Sequence, residues 1–317
     1  MELSIVVPCY NEEEALPYFM EALTKIEASL PLTVAYYFVD DGSTDGTLTV
    51  LRKLAATNPR CHFQSFSRNF GKEAGLLAGL TQAQGDYVVV MDADLQDPPE
   101  MLAEMLRLIQ EEHFDVVGTR RMDRKGEPIL RSLFSRMFYY LMSKISKTPM
   151  LSGVRDYRMM TRQVVDSILS LQEYNRFSKG IFSWVGYRTT YLPYENRERI
   201  AGKTSWSFWS LFSYSLEAIV NFSDFPLTIA SFTGIISCLL AAIFMIVIVV
   251  RTLIFGDPTS GWPSLATIVL FVGGLQLFAL GIVGKYIGKI FLETKDRPHY
   301  IIKESDEKKE QTDELSR

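Results

Sequence analysis

Over the first two hundred residues, short apolar runs alternate with stretches of helical spacing. Leu3–Pro8 is a β-branched run, and the Glu-rich segment from Glu12 to about Ser29 has the periodicity of a helix. Thr33–Val39 is a second apolar run. It ends in Asp40-Asp41-Gly42-Ser43-Thr44-Asp45-Gly46, where clustered Asx, Ser and Gly predict a turn capping a helix over Thr47–Thr57. Cys61–Ser65 predicts a third strand, Gly71–Ala83 a helix, Tyr87–Met91 a fourth strand and Asp115–Gly118 a fifth. Strand–helix repeats whose strands are too apolar to face water predict a parallel sheet covered on both faces. Ligands of such sheets bind at the carboxyl ends of the strands, so Asp40-Asp41 and Asp92-Ala93-Asp94 share one crevice.

The pattern changes after residue 226. Leu227–Val250 and Ser264–Gly284 contain no Asp, Glu, Lys or Arg. As helices they reach about 36 Å and about 31 Å, enough to cross a hydrocarbon core of about 30 Å; the alternative is a pair of buried core helices. Between them Gly256–Pro263 is a Gly/Pro turn without Lys or Arg, while Lys285, Lys289, Lys295 and Arg297 follow the second stretch. Positive-inside logic puts both termini in the cytoplasm, with Arg251 as an exception that snorkelling accommodates. Glu2 precedes a strand-like run and no basic n-region exists, so the start predicts no signal peptide.

Composition agrees with a soluble domain on a membrane anchor. Outside the two uncharged stretches, 272 residues carry all 70 charged side chains, about 26%, an ordinary globular value. Two spans cannot enclose a conventional transport path, and a net charge of −4 argues against a nucleic-acid binder. Cys9, Cys61 and Cys238 are odd in number and widely spaced, which predicts free thiols in a reducing compartment. His62, His113 and His299 are scattered, and nothing has zinc spacing or a serine-hydrolase elbow.

Asp92-Ala93-Asp94-Leu95-Gln96-Asp97-Pro98-Pro99 follows a predicted strand directly. On an extended segment carboxylates two residues apart project to one side, so Asp92 and Asp94 can approach one hard cation; the alternative is an acidic turn capping the helix that Pro98-Pro99 starts. With Val6-Val7-Pro8-Cys9-Tyr10-Asn11-Glu12, Val39-Asp40-Asp41-Gly42-Ser43-Thr44-Asp45-Gly46-Thr47 and Gly85-Asp86, this segment resembles family-2 glycosyltransferases of the GT-A fold. More narrowly, the chain is similar to the polyisoprenyl-phosphate glycosyltransferases, the group of dolichol-phosphate mannose synthase and the bactoprenol glucosyltransferases. The resemblance covers essentially the whole chain, two-span tail included.

The resemblance implies an α/β, GT-A (Rossmann-like), mostly parallel sheet with helices on both faces, an interfacial helix and two C-terminal transmembrane helices. The expected division is a cytoplasmic catalytic domain at 1–205, interfacial amphipathic helices at 206–226, two spans at 227–292 around an external loop at 256–263, and a cytoplasmic tail at 293–317. It further implies a nucleotide-sugar donor, with UDP-glucose favoured over UDP-N-acetylglucosamine and GDP-mannose, and a polyprenyl phosphate acceptor in a bacterial cytoplasmic membrane. A homotetramer and a small membrane flippase partner belong to the same expectation.

Pro8, Tyr10 and Glu12 would line the nucleotide pocket, Asp40 would contact the base, and Asp92 would lie near ribose and sugar. Asp94, with Gln96 nearby, would hold Mg²⁺ or Mn²⁺ bridging the phosphates, stabilising charge on the leaving diphosphate. Arg120 with Arg131 and Ser135 would meet the acceptor phosphate, and Arg199 and Lys203 would neutralise the diphosphate. For the basic segment 120–136 the alternative is a solvated face drawn to anionic lipid, and for the Arg199–Lys203 loop a surface loop without ligand. Gly202-Lys203-Thr204 is no Walker A, because Arg197 stands where that motif needs Gly.

Asp156 sits where related enzymes place a base, and completes the catalytic set with Asp92 and Asp94. A phosphate monoester with a second pKa near about 6 is already mostly a dianion at neutral pH, so a strong base is unnecessary. Positioning the donor sugar or orienting the phosphate suits Asp156 better; the alternative is a structural pair with Arg155 or Arg158. Two other readings compete. A processive synthase would need Gln-x-x-Arg-Trp, and Gln172–Phe177 has the wrong spacing and no Trp. A non-catalytic membrane adaptor would not need the acidic and Arg sets together. Phe208–Phe225 is aromatic-rich and amphipathic, as an interfacial helix would be, and the mixed-charge tail Lys303–Arg317 is expected to be disordered.

Overall fold

The computed structural model describes residues 1–121, 153–194, 219–220, 223, 225–255 and 261–306. The N-terminal part runs β1 (Glu2–Cys9), α1 (Ala15–Glu27), β2 (Thr33–Asp40), α2 (Thr47–Thr57), β3 (Cys61–Phe66), α3 (Lys72–Gln82), β4 (Tyr87–Val90) and α4 (Leu102–Glu112). It continues with β5 (Val116–Arg121), β6 (Val154–Thr161), α5 (Arg162–Leu169), α6 (Ser178–Trp184) and β7 (Thr189–Tyr194). Two long helices, α7 (Phe225–Phe255) and α8 (Trp262–Thr294), and a last strand, β8 (Ile302–Ser305), complete it.

The eight strands form one sheet in the order β7-β5-β6-β4-β1-β2-β3-β8. β1 pairs in parallel with both β2 and β4, and β2 with β3. The chain leaves β1 toward β2 and β3 and returns on its other side at β4. That reversal opens a crevice beyond the carboxyl ends of β1 and β4, the place where doubly wound sheets bind ligands.

Alternation within the strands explains the two covered faces. Leu3, Ile5, Val7, Tyr36 and Phe38 pack with Phe19, Leu51 and Met105 under α1, α2 and α4, while Val6, Tyr37, Val88 and Val90 pack with Leu76, Leu80 and Val164 under α3 and α5. A Cβ at Gly79 would stand 2.2 Å from Val6 Cγ1, so only glycine lets α3 lie this close to β1.

The sheet is mostly parallel, as expected; β6 runs antiparallel between β4 and β5, because the strand after α4 leaves a gap beside β4 that the returning chain fills. One expectation is corrected here. Of the tail expected to be disordered, residues 303–306 are ordered and 307–317 lie outside the described residues: β8 adds antiparallel to the edge of β3, Arg52 forks onto Glu304, and Asp306 Oδ1 accepts the Phe63 N–H at 2.6 Å. Partners from elsewhere in the sequence order a segment that has little apolar content of its own.

Both long helices are long and apolar enough to cross a membrane, over Phe225–Ile248 and Phe271–Thr294, with mean hydropathy 2.5 and 1.5 and neither window buried against protein. The expected interfacial helix lies mostly outside the described residues, and so does the Cys238 side chain. Cys9 and Cys61 are free and buried.

Candidate active site

Three loops at the carboxyl edge of the sheet are laced together. Asn11, in left-handed conformation at φ 56°, accepts the Thr44 N–H at 2.8 Å and donates its own N–H to Ser43 Oγ at 2.9 Å. The Glu12 N–H donates to Thr47 Oγ1 at 2.8 Å. These contacts fix the segment Pro8–Glu12 against the loop after β2. Tyr10 remains 44% exposed on this rim.

The paired aspartates of that loop face inward. Asp40 is 1% exposed; its Oδ1 accepts the Ser43 N–H at 3.0 Å and its Oδ2 the Ser65 hydroxyl at 2.7 Å. A base contact by Asp40 therefore has only the remaining lone pairs. Asp41 accepts the N–H groups of Phe70 and Gly71 at 2.6 and 2.9 Å. Gly42, at φ 66°, comes so close to Arg68 that a Cβ would lie 2.4 Å from its carbonyl carbon. Asp41 and Gly42 thus shape the turn that delivers Lys72, the first residue of α3, into the crevice.

Lys72 is the residue that sequence reasoning missed. Its ammonium lies 2.7 Å from Asp92 Oδ1 and 2.8 Å from Asp156 Oδ2, joining the end of β4 to the middle of β6. The three side chains are 39%, 28% and 19% exposed respectively, half-buried at the wall of the crevice. Burial opposes the charge on Asp156, but Lys72, helped by Lys179 and Arg158, outweighs it and holds the carboxyl far below the usual range. Burial likewise opposes the Lys72 charge, and Asp156 and Asp92 overcome it, raising the ammonium above its ordinary value. The sequence signal was a lysine opening a helix just after the crevice-side turn Ser67–Gly71, at the carboxyl end of β3.

The structural pairing considered for Asp156 is corrected accordingly. Arg158 is buried, donates to the Asp156 and Arg155 carbonyls at 3.2 and 2.8 Å, and lies over the Phe182 ring. Arg155 turns the other way, with Nη2 3.1 Å from Gln96 Oε1 and Nε 3.7 Å from Asp97 Oδ1. Neither guanidinium takes the Asp156 carboxylate.

The segment after β4 is also not extended as expected. It turns at Ala93-Asp94, with Leu95 left-handed at φ 55°. Asp92 goes to Lys72, whereas the buried Asp94 folds back so that its Oδ1 accepts the Gln96 N–H at 3.1 Å. Asp97 is buried and accepts the Tyr194 hydroxyl at 2.8 Å; burial pushes its carboxyl up to about 6, against the pull of Arg155. Among the described residues no three Asp, Glu, His or Cys side chains converge as a metal cage.

Arg120 stands at the end of β5 opposite Val154, two positions from Asp156 on the neighbouring strand. Pro8 is half-buried beside Gly75 of α3. Arg131, Ser135, Arg199 and Lys203 lie outside the described residues.

The family described as Glycosyl transferase family 2 matches residues 4–169. The Bacillus subtilis (strain 168) protein CsbB is 44% identical over 303 residues, covering 96% of this chain and 92% of the relative. The SfII prophage-derived bactoprenol glucosyl transferase of Shigella flexneri is 41% identical over 305 residues, covering 96% and 98%. The bactoprenol glucosyl transferase of Shigella phage SfV is 41% identical over 308 residues, covering 97% and 100%. The matched region takes in β1 through β6 and every residue of the Lys72 cluster, and the chain belongs to glycosyl transferase family 2.

Proposed function

We propose that the chain transfers glucose from UDP-glucose, with inversion, to undecaprenyl phosphate at the cytoplasmic face of a bacterial membrane, for modification of a cell-envelope glycan. The observation that carries this reading is identity of 41% over 96% or more of the chain to bactoprenol glucosyl transferases, across both the carboxylate crevice and the two apolar helices. In this reading residues 1–205 are the cytoplasmic catalytic domain, 206–226 lie at the interface, 227–292 span the membrane twice, and both termini are cytoplasmic.

The chemistry suits the crevice. The acceptor is mostly a dianion at neutral pH. Its oxygen bonds to the anomeric carbon as the bond from that carbon to the diphosphate breaks, and the electron pair departs on UDP. No proton has to be removed. An ionised Asp156 is therefore an anchor rather than a base: with Asp92 it holds Lys72, whose charge offsets two carboxylates that would otherwise repel the incoming dianion. Tyr10 offers its ring to the uracil, beside Pro8 and Glu12, and Arg120 is the described arginine placed for the acceptor phosphate.

Asp94 fits a Mg²⁺ or Mn²⁺ ligand. Mg²⁺ is commonly held by one or two carboxylates plus substrate phosphates and water, so it does not need a cage of three protein carboxylates beside Asp94. The ion, when bound, supplies stabilisation of the charge growing on the leaving diphosphate. Gln96 would have to release Arg155 before its Oε1 could join.

The experiment is transfer from radiolabelled UDP- and GDP-sugars to undecaprenyl phosphate with Mg²⁺, Mn²⁺ or EDTA, for wild type and Asp94→Ala. EDTA-sensitive glucolipid, made from UDP-glucose and lost in the variant, is the expected result. Another sugar in the lipid product revises the donor alone. No lipid product from folded protein that binds UDP overturns the acceptor.

A further inference from the structure

Helix α8 runs unbroken from Trp262 to Thr294, whereas its uncharged stretch ends at Gly284. Glu293 therefore stands nine residues, about 14 Å, past the end of the uncharged stretch, in the closing turn of the apolar window Phe271–Thr294 and one residue beyond the expected spans at 227–292. A glutamate in the last turn of a helix is poorly placed by itself, because the negative end of the helix dipole opposes it. Donors from one short segment of the catalytic domain offset that cost. Glu293 Oε2 accepts the Tyr174 N–H at 2.8 Å, and Oε1 accepts the Asn175 N–H at 3.1 Å and its Nδ2 at 2.8 Å. One turn earlier on α8, Lys289 donates to Asn175 Oδ1 at 2.9 Å.

The same segment reaches the reacting cluster at its other end. The Ser178 N–H donates to both oxygens of Glu73, at 2.9 and 3.1 Å, and the Ser178 hydroxyl donates to Glu73 Oε2 as well. Glu73 follows Lys72 directly in α3. The five residues from Tyr174 to Ser178 thus fasten the end of α8 at one side and the start of α3 at the other. Past Thr294 the chain stays docked, with His299 stacked on Tyr174 and Tyr300 on Phe66.

We propose that Glu293 is a positioning residue for the transfer, one that sets the height and tilt of the Lys72–Asp92–Asp156 cluster above the apolar run so that it meets a phosphate held at the membrane surface. This rests on the lipid-acceptor reading above. The internal geometry of the cluster does not depend on Glu293, since Lys72 binds Asp92 and Asp156 directly. Loosening the contact slows attack on a membrane-held phosphate and spares a phosphate that diffuses in from water.

The test uses full-length protein in phospholipid nanodiscs, with two acceptors: undecaprenyl phosphate in the disc and geranyl phosphate from solution. Glu293→Ala is expected to lower kcat for the embedded acceptor by about ten-fold or more, while kcat for geranyl phosphate and affinity for UDP change by less than about two-fold. Glu293→Gln, which keeps one acceptor oxygen, falls between wild type and alanine. Asn175→Ala, altered on the opposite side of the contact, reproduces the same selective loss. Equal loss with both acceptors makes Glu293 a structural prop, and no loss with the embedded one makes the contact dispensable; either result overturns the proposal. A wild type that binds UDP but glycosylates neither acceptor overturns the lipid-acceptor reading itself, and this inference with it.

Discussion

The Lys72 ammonium lies 2.8 Å from Asp156 Oδ2, across 84 positions of sequence, and the same nitrogen holds Asp92 at 2.7 Å. One cation between two carboxylates is a fixed charge array, and in the proposed function it sits where the acceptor dianion approaches the sugar. Its loss leaves Asp92 and Asp156 facing that dianion uncompensated. Lys72→Met is therefore expected to lower kcat by about 10²–10³, the scale seen when one preorganised donor is removed. Lys72→Arg restores part of it, because charge returns with a different fork geometry. Single-turnover rates at saturating donor check this, and a loss below about three-fold would remove Lys72 from the site.

The same pair fixes the pH behaviour. An Asp156 carboxyl held far below its unfolded value of about 3.9 contributes stability above about pH 4, lost as pH falls through the folded value. A Lys72 raised above about 10.4 contributes stability below about pH 10, lost as pH climbs through its folded value. Neither group titrates between about pH 5 and 9. An acidic limb in kcat/KM near about pH 6 then follows the second ionisation of the acceptor phosphate. Asp156→Asn lowers the plateau without moving the limb. Asp97, pushed up to about 6 by burial, could also produce such a limb, so Asp97→Asn is a control, and the limb is expected to stay in place.

The legible parts of the fold are those whose signal is local. The helix Thr47–Thr57 appears with both ends as predicted, because Asp45 Oδ1 accepts the Thr47 N–H and hydroxyl within the predicted turn. β1, β2 and β4 show in the sequence as unbroken apolar runs because both of their faces are covered. β8 does not show. Ile302-Lys303-Glu304-Ser305 has one apolar residue, and what orders it is the open edge of β3 with Arg52 and His62, more than two hundred residues away. For Lys72 the sequence shows its place, at the start of a helix after the turn Ser67–Gly71, but not its partners Asp92 and Asp156, which meet it only through the sheet. Reading Asp92-Ala93-Asp94 as an extended segment differs from the structure, which turns at Ala93-Asp94 before the left-handed Leu95, a turn that no Gly or Asn announces.

The tail also yields a ranking of its anchors. Asp306 accepts the Phe63 N–H at 2.6 Å and lies 2.9 Å from His62 Nδ1. Asp306→Ala leaves a partly buried backbone donor without its partner and is expected to cost about 1–2 kcal/mol of stability. The Arg52–Glu304 fork is as short but more exposed than the Asp306 contacts, so Arg52→Ala is expected to leave the unfolding midpoint nearly unchanged. Denaturation of the detergent-solubilised protein compares them, and a larger effect for Arg52→Ala would reverse the ranking.

Asp94 and Gln96 differ in what their oxygens already do, and this separates two accounts of the metal. Asp94 is buried, and its Oδ1 accepts the backbone N–H of Gln96 within its own turn. Gln96 Oε1 faces a guanidinium, Arg155 Nη2 at 3.1 Å, a group that competes with any cation for that lone pair. A site relying on Asp94 and the donor phosphates loses about 10² or more in activity with Asp94→Asn, and its activation by Mn²⁺ shifts to much higher concentration. Gln96→Ala leaves the carboxylate in place and frees Arg155 to close the 3.7 Å gap to Asp97. Its Mn²⁺ activation constant is expected to move by less than about three-fold, within the range of a lost neutral contact. Titration of initial rates with Mn²⁺ gives both constants. Equal shifts for the two variants would make Gln96 a ligand on a par with Asp94, with the Arg155 contact broken whenever the ion is bound.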